Sequence, residues 1–180
     1  AGIRTEWFDR ALTFDATVFY LDWKNVQIQR AATGGLYNYV DNVGAAVSKG
    51  LELSTSMVPF SGTAFEGITF TSSAAFIDAV TKVPFPAGQQ TVPAGTRLPG
   101  TPKFQISNVL AYAGEFGNWM PAISMTHSYI GSSPNNIFGS VQIGGYNTID
   151  LGLRLGYMGS GFHPAIAFSL VNMFDKRALA

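Results

Sequence analysis

The chain has 180 residues, 47% of them hydrophobic and only 12% charged, and its eleven basic and eleven acidic residues cancel. Soluble domains carry about 25% charged residues, so this composition disfavours a water-exposed surface, and it lacks the basic face that a nucleic-acid-binding protein needs. Without cysteine there are no disulfides or thiolate zinc sites, and the longest apolar run, residues 109–113, falls far short of the about 18 residues of a membrane helix.

Apolar and polar residues alternate along the chain with a period of two, which predicts β-strands with one apolar and one polar face. Leu12, Phe14 and Ala16, for example, alternate with threonine and aspartate. A helix would place Asp15 and Arg154 within its apolar stripe, so helical periodicity does not fit. The pattern predicts eight strands, near residues 1–7, 11–23, 48–58, 63–77, 102–113, 119–130, 146–158 and 163–173.

Short and long breaks alternate strictly between these predicted strands. The short ones, near 8–10, 59–62, 114–118 and 158–162, contain Asp, Gly or Pro, which favour turns. The long ones run over about 25–47, 78–101 and 131–145. In an antiparallel meander all short turns then lie at one end and all long loops at the other. Strands of about ten residues with this asymmetry predict an all-β fold, an antiparallel transmembrane β-barrel with short periplasmic turns and long outer loops.

Aromatic residues near the strand ends fit the girdles that such barrels place at the two membrane interfaces. The predicted girdle residues are Trp7, Tyr20, Trp23, Phe76, Tyr112, Trp119, Tyr129 and Tyr157.

Four strings, in this order along nearly the whole chain, resemble the C-terminal barrel of TonB-dependent outer-membrane receptors. They are AGIRTEWF (1–8) followed by LTFDATVFY (12–20), NVG (42–44) with SKGLEL (48–53), GTRLPGTP (95–102), and VNMFDKR (171–177), which is similar to the family's N-L-F-D-K-R-Y. The family's Tyr at the end of the last string is replaced by Ala178.

The resemblance implies a location in the bacterial outer membrane and about eight strands of a 22-stranded barrel. It implies that residues 1–180 are the C-terminal part of such a barrel, with the plug domain, the TonB-contacting box and the final strand outside it. The expected partners are outer-membrane lipid, the receptor's own plug domain, the TonB energy-coupling complex and a small ligand. Most receptors of this kind import ferric siderophores, so active uptake of a ferric siderophore is the expected function.

Cations and aromatic side chains in the predicted outer loops suit such ligands, because many ferric siderophores are anionic or aromatic. The candidate ligand-binding residues are Arg30, Tyr37, Tyr39, Arg97, Phe138 and Tyr146.

No catalytic constellation is recognisable, so no enzymatic activity, metal site or cofactor is predicted. His127 and His163, the two histidines, fall on separate predicted strands, whereas a metal site needs clustered ligands. Charged residues on the predicted polar faces are expected to line a wetted lumen or to contact the plug or a passing ligand. These residues are Asp15, Glu52, Asp150 and Arg154.

Two other functions remain open at the level of sequence. Eight strands would also make a self-contained small outer-membrane barrel with a structural or adhesive role. A soluble β-sandwich or lipocalin-like carrier is disfavoured by the low charge and by the long loops on one side.

Overall fold

The computed structural model describes residues 1–31, 36–42, 44–60, 62–63, 66–87, 90–159 and 161–177, with the backbone alone at 28–31, 38, 41 and 42. This part of the chain is all-β. Its strands are β1 (Gly2–Trp7), β2 (Leu12–Lys24), β3 (Gln27–Ala31), β4 (Asn38–Asn42), β5 (Ala45–Met57), β6 (Ile68–Thr81), β7 (Phe85–Ala87), β8 (Gln90–Val92), β9 (Phe104–Ala113), β10 (Trp119–Ile130), β11 (Ser133–Pro134), β12 (Gln142–Ile143), β13 (Tyr146–Tyr157) and β14 (Ala165–Leu170). None of the described segments is a helix with the length and apolar character needed to cross a membrane.

Eight strands form one antiparallel meander in the order β1-β2-β5-β6-β9-β10-β13-β14, which confirms the predicted count and pairing. β1 and β14 are the two edges of this sheet, so it is an open wall within the described residues rather than a closed eight-stranded barrel.

Three strands differ by three or more residues from their approximate predicted bounds, and one of them, β14, ends at Leu170 instead of near residue 173. β5 begins at Ala45 instead of residue 48, and β6 runs from Ile68 to Thr81 instead of 63–77. β6 starts late because Gly67 has φ +98°, outside the extended range of a strand. It ends late because the pairing of β5 with β6 continues past the alternating apolar segment, as far as Ala46 opposite Thr81.

Each of the three long connections contains a small hairpin that the sequence pattern did not predict. β3 pairs with β4, β7 with β8 and β11 with β12, each as a separate two-stranded sheet. These strands have two to five residues, too few for alternation to stand out from loop sequence.

The register assigns every residue of the large sheet to one of two faces, because directly paired residues of antiparallel strands share a face. Val18, Leu51 and Phe76 are paired in one row, and Thr17, Glu52 and Ala75 in the next. We call the first face the apolar face and the second the polar face. The apolar face is open to its surroundings rather than packed, since Val18, Leu153 and Phe168 are 55%, 48% and 60% exposed.

The apolar face carries aromatic residues at both ends of its strands, as predicted. Seven of the eight predicted girdle residues lie on it, and Phe104 joins Phe76 at the loop end with ring centroids 4.7 Å apart. Trp23 is the exception: it pairs with Ala46 and therefore lies on the polar face beyond the girdle. Phe19 is on the polar face too, where its ring covers Gly50, its cross-strand partner.

Candidate functional site: the polar face and the outer loops

The polar face contains a groove of about 510 Å³ near the middle of the wall. Asp15 and Glu52 line this groove together with small polar residues from five neighbouring strands. Arg4 on β1 forms an ion pair with Asp15 on β2 in which Nε lies 2.5 Å from Oδ1. The groove therefore presents hydroxyl, amide and carboxylate groups to whatever occupies the polar face.

The four charged residues predicted on this face all lie there, with different partners. Asp150 accepts the backbone N–H of Asn172 at 2.6 Å and so holds the segment that follows β14. Glu52 and Arg154 form no ion pair with any described residue. Both charges are available to a group that contacts the polar face.

The long loops share a small apolar core, which we call the loop core. It consists of Phe85, Val92 and Ile137, with Val26, Ala87 and Leu98 packed against it. Val26 belongs to the first long connection, Phe85 and Val92 to the second and Ile137 to the third. The large buried side chains of the described part thus lie in the loops, because the faces of the sheet are open.

Hydrogen bonds connect the loops to the sheet and to each other. The Thr81 hydroxyl, at the end of β6, donates to the Pro93 carbonyl at 3.0 Å and accepts the Thr96 N–H at 3.1 Å. The Gly100 N–H donates to the Pro134 carbonyl at 2.9 Å, which joins the second loop to the third. The three loops form one packed unit above the wall.

Two ion pairs lie near the loop ends of the strands beneath this unit. The Lys82 ammonium donates to both carboxylate oxygens of Asp22, at 2.9 and 2.8 Å. This hydrogen bond raises the pKa of Lys82 above its ordinary value of 10.5. Lys49 and Asp78 form a second pair at 3.6 Å.

Three of the predicted ligand-binding residues belong to the first loop. Arg30 on β3 is opposite Tyr39 on β4 in the backbone register, but its side chain lies outside the described part. Tyr37 and Tyr39 are 65% and 41% exposed, and their ring centroids are 6.4 Å apart. An exposed aromatic pair on the loop side is available for stacking.

The other three are spread over the second and third loops. The Arg97 Nε–H donates to the Thr101 carbonyl at 3.2 Å, while its Nη2 is buried without a hydrogen-bond partner among the described residues. Phe138 is half exposed in the third loop, and Tyr146 begins β13 on the polar face, opposite Ile130. Tyr37 and Tyr39 are the only two of the six whose described side chains contact each other, and a ligand role for the set stays a prediction.

Sequence reasoning missed the loop core and a polar cluster on the apolar face. The alternation of Phe85 and Ala87 with prolines in the second loop was a sequence signal for the loop core. The cluster joins Ser72, Asn108 and His127, which lie on three different strands, so only the register could reveal it. No group of three His, Asp or Glu residues within the described ranges could hold a metal ion.

Comparison with known proteins decides the family. Residues 1–171 match the family model described as TonB dependent receptor-like, beta-barrel. The chain belongs to this family. Proteins of the TonB-dependent receptor family are receptors and transporters of the outer membrane.

Solved receptors of this type share the fold over nearly the whole chain. The ferric yersiniabactin uptake receptor FyuA from Yersinia pestis is 18% identical with a TM-score of 0.70, and 98% of this chain covers 24% of that receptor. BauA, the ferric preacinetobactin receptor from Acinetobacter baumannii, is 11% identical with a TM-score of 0.74, and 98% of this chain covers 25% of it. The chain thus spans about a quarter of the receptors it matches. No curated protein sequence is significantly similar to it.

Proposed function

We propose that this chain is part of the barrel wall of an outer-membrane receptor that takes up a ferric siderophore with energy supplied through TonB. The observation that carries the proposal is the two-faced meander within the family match: an exposed apolar face and a polar face whose groove is lined by Asp15 and Glu52. A barrel needs such a wall, with one face toward lipid and one toward an aqueous lumen.

The dimensions of the apolar face support a membrane location. On β6 its stripe runs from Ile68 to Phe76 and is followed on the same face by Asp78. On β2 it runs from Leu12 to Tyr20 and is followed by Asp22. Each stripe spans nine residues, close to the about 9–11 residues of a tilted transmembrane strand. The charged residues then mark the outer water interface.

The chemistry of the outer loops supports an anionic or aromatic ligand. Tyr37 and Tyr39 form an exposed ring pair, and Arg30 lies opposite Tyr39 in the register. FyuA and BauA, which share the fold, are receptors for ferric yersiniabactin and ferric preacinetobactin. We therefore assign the candidate ligand contacts to this loop surface, with Arg97, Phe138 and Tyr146 as further members.

The same proposal covers domain organisation and partners. Residues 1–180 are the C-terminal part of the barrel, and the plug domain, TonB box and final strand belong to other parts of the receptor. The plug then lies against the polar face, where Glu52 and Arg154 are free of ion pairs with described residues.

Growth under iron limitation tests this function. A strain lacking the full-length gene should fail to use one or more ferric siderophores as its sole iron source, and the wild-type gene should restore growth. The double variant Tyr37→Ala/Tyr39→Ala should restore less growth at equal outer-membrane level. Unchanged growth of the deletion strain on every ferric siderophore, with no binding of these ligands to the purified receptor, would contradict the proposal.

A further inference from the structure

A line of polar residues crosses the apolar face along one row of the register. The row consists of Thr5, Phe14, Thr55, Ser72, Asn108, His127 and Ile149. Five of these seven residues are polar on a face that is otherwise apolar between its girdles. Asn108 lies midway along β9, with Leu110 and Tyr112 on one side and Ile106 and Phe104 on the other.

Three members of the row form a hydrogen-bonded cluster, the Ser72–Asn108–His127 cluster. The Ser72 hydroxyl donates to Asn108 Oδ1 at 2.8 Å, and Asn108 Nδ2 lies 3.2 Å from His127 Nδ1. The amide oxygen Oδ1 of Asn108 accepts from Ser72, and its amide nitrogen Nδ2 can only donate. His127 Nδ1 must then accept, so the neutral imidazole carries its proton on Nε2.

Two donors of this cluster have no partner among the described residues: the Nε2–H of His127 and the second N–H of Asn108 Nδ2. Among the described residues Nε2 has no hydrogen-bond partner, and it is not among their enclosed polar atoms without a partner. An unpaired N–H facing hydrocarbon is costly, since no water is present there to accept it. An acceptor from the surroundings is therefore required.

The depth of His127 indicates which acceptor it meets. Tyr129 follows His127 on the same face of β10, toward the long loops, and lies in the outer girdle with Phe104 at 6.0 Å. Girdle aromatics sit at the level of the lipid headgroups. His127 is two residues deeper, about 7 Å along the strand, or about 5 Å along the membrane normal at a tilt of about 45°. That depth lies just inside the apolar band, next to the ester or amide carbonyls that join the acyl chains to the headgroups.

We propose that the Ser72–Asn108–His127 cluster is a lipid-binding site in which His127 Nε2–H donates to an acyl carbonyl oxygen of an outer-leaflet lipid. One carbonyl satisfies the His127 donor, and the surrounding apolar side chains, Ile106 and Met125 among them, contact the acyl chain. The site rests on the proposed membrane placement and is independent of the transported ligand.

Lipid retention by the full-length receptor tests the site. The receptor is equilibrated with equal amounts of diacyl phosphatidylcholine and its dialkyl ether analogue, which lacks the carbonyls. Native mass spectrometry then measures the ratio of the two lipids that remain bound. Wild type should retain the diacyl lipid about fivefold more, the effect of one neutral hydrogen bond on an equilibrium constant. His127→Phe should abolish this preference, and Ile123→Phe, four residues deeper on the same face of β10 and outside the cluster, should keep it.

Three other outcomes would contradict the proposed lipid-binding site. Equal retention of both lipids by wild type, a preference that persists in His127→Phe, or a receptor dimer that requires His127 would do so. A receptor that does not insert into bilayers would overturn the membrane placement as well. If His127→Phe fails to fold, an NMR measurement on the wild-type receptor replaces it. The ¹⁵N signal of His127 Nε2, assigned through its proximity to Asn108, should shift between nanodiscs of diacyl and of dialkyl lipid. An unchanged signal contradicts the proposal.

Discussion

Lys49 and Asp78 face each other across β5 and β6, with Nζ 3.6 Å from Oδ2, on the same face as Phe76 and two residues beyond it. From this pair toward the short turns the face is mainly apolar, whereas toward the long loops it carries charged residues such as Asp22 and Lys82. The pair therefore marks one edge of the apolar band. An exposed ion pair contributes little stability, so its importance lies in position rather than in energy.

Charge within the band should be costly, and charge on the opposite face should not. We expect Leu153→Arg to lower the free energy of unfolding of the receptor in lipid vesicles by about 2–4 kcal/mol, the cost of arginine on a lipid face near the bilayer midplane. Thr126→Arg is the matched control, because Thr126 lies on the polar face of the adjacent strand. Equal losses for the two variants would contradict the assignment of faces.

Of the two turn glycines before β6, Gly67 should lose more stability than Gly62 when it is replaced by alanine. Its φ is +98°, and a Cβ would collide with the carbonyl oxygen of Ala113. Gly62 has φ +74° with open space around it. A non-glycine residue at such φ costs about 1–3 kcal/mol, so Gly62→Ala should lose that much and Gly67→Ala more, because the sheet must also shift. Urea unfolding of both variants measures the difference, and a smaller loss for Gly67→Ala would refute it.

Loss of the loop core should loosen the outer loops without unfolding the barrel. Ile137 is 9% exposed, and Ile137→Ala should cost the loop unit about 2–5 kcal/mol. Faster cleavage of the long loops in limited proteolysis, with the heat-modified gel mobility of the barrel unchanged, is the expected result.

The neighbouring residue supplies the control for that experiment. Phe138 is 50% exposed, so Phe138→Ala should leave proteolysis unchanged. If Phe138 is a ligand contact, the same variant should weaken siderophore binding. Rapid cleavage in both variants would show that the loops do not depend on the shared core.

The Lys82–Asp22 pair should give a small alkaline dependence of stability. The pKa of Lys82 is raised in the folded state, chiefly by its hydrogen bond to Asp22, so the stabilisation is fully present below pH 10.5 and is lost as the pH rises through the raised value. Unfolding measured from about pH 9 to about pH 12 should show a steeper loss for wild type than for Lys82→Met. Lys24→Met should behave as wild type, and identical curves for wild type and Lys82→Met would rule out the coupling.

Alternation in the sequence could locate the strands because each strand of an open wall meets two different surroundings. Leu151, Leu153 and Leu155 alternate with Gly152 and Arg154, and the register confirms their faces. The ends were harder to predict, since past the apolar band both faces of a strand meet water. β5 and β6 are paired for several residues there, and no period of two marks them.

Contacts between loops have no local signal of this kind. Val92 and Ile137 are separated by 45 positions, yet both are buried in one core. Nothing in either segment alone predicts the other as its neighbour, because the contact depends on how two loops fold back over the wall. The same limit applies to the candidate ligand residues, which the sequence selected by chemistry and the fold distributes over three loops.

The sequence by itself determined the all-β class, the eight wall strands, the two faces and the separation of short turns from long loops, because each follows from local periodicity and turn chemistry. Only the tertiary structure decided the register, and with it the Ser72–Asn108–His127 cluster, the position of Trp23 and the loop core. Register depends on which residues of distant strands lie opposite each other, and a shift of one residue would move every side chain to the other face.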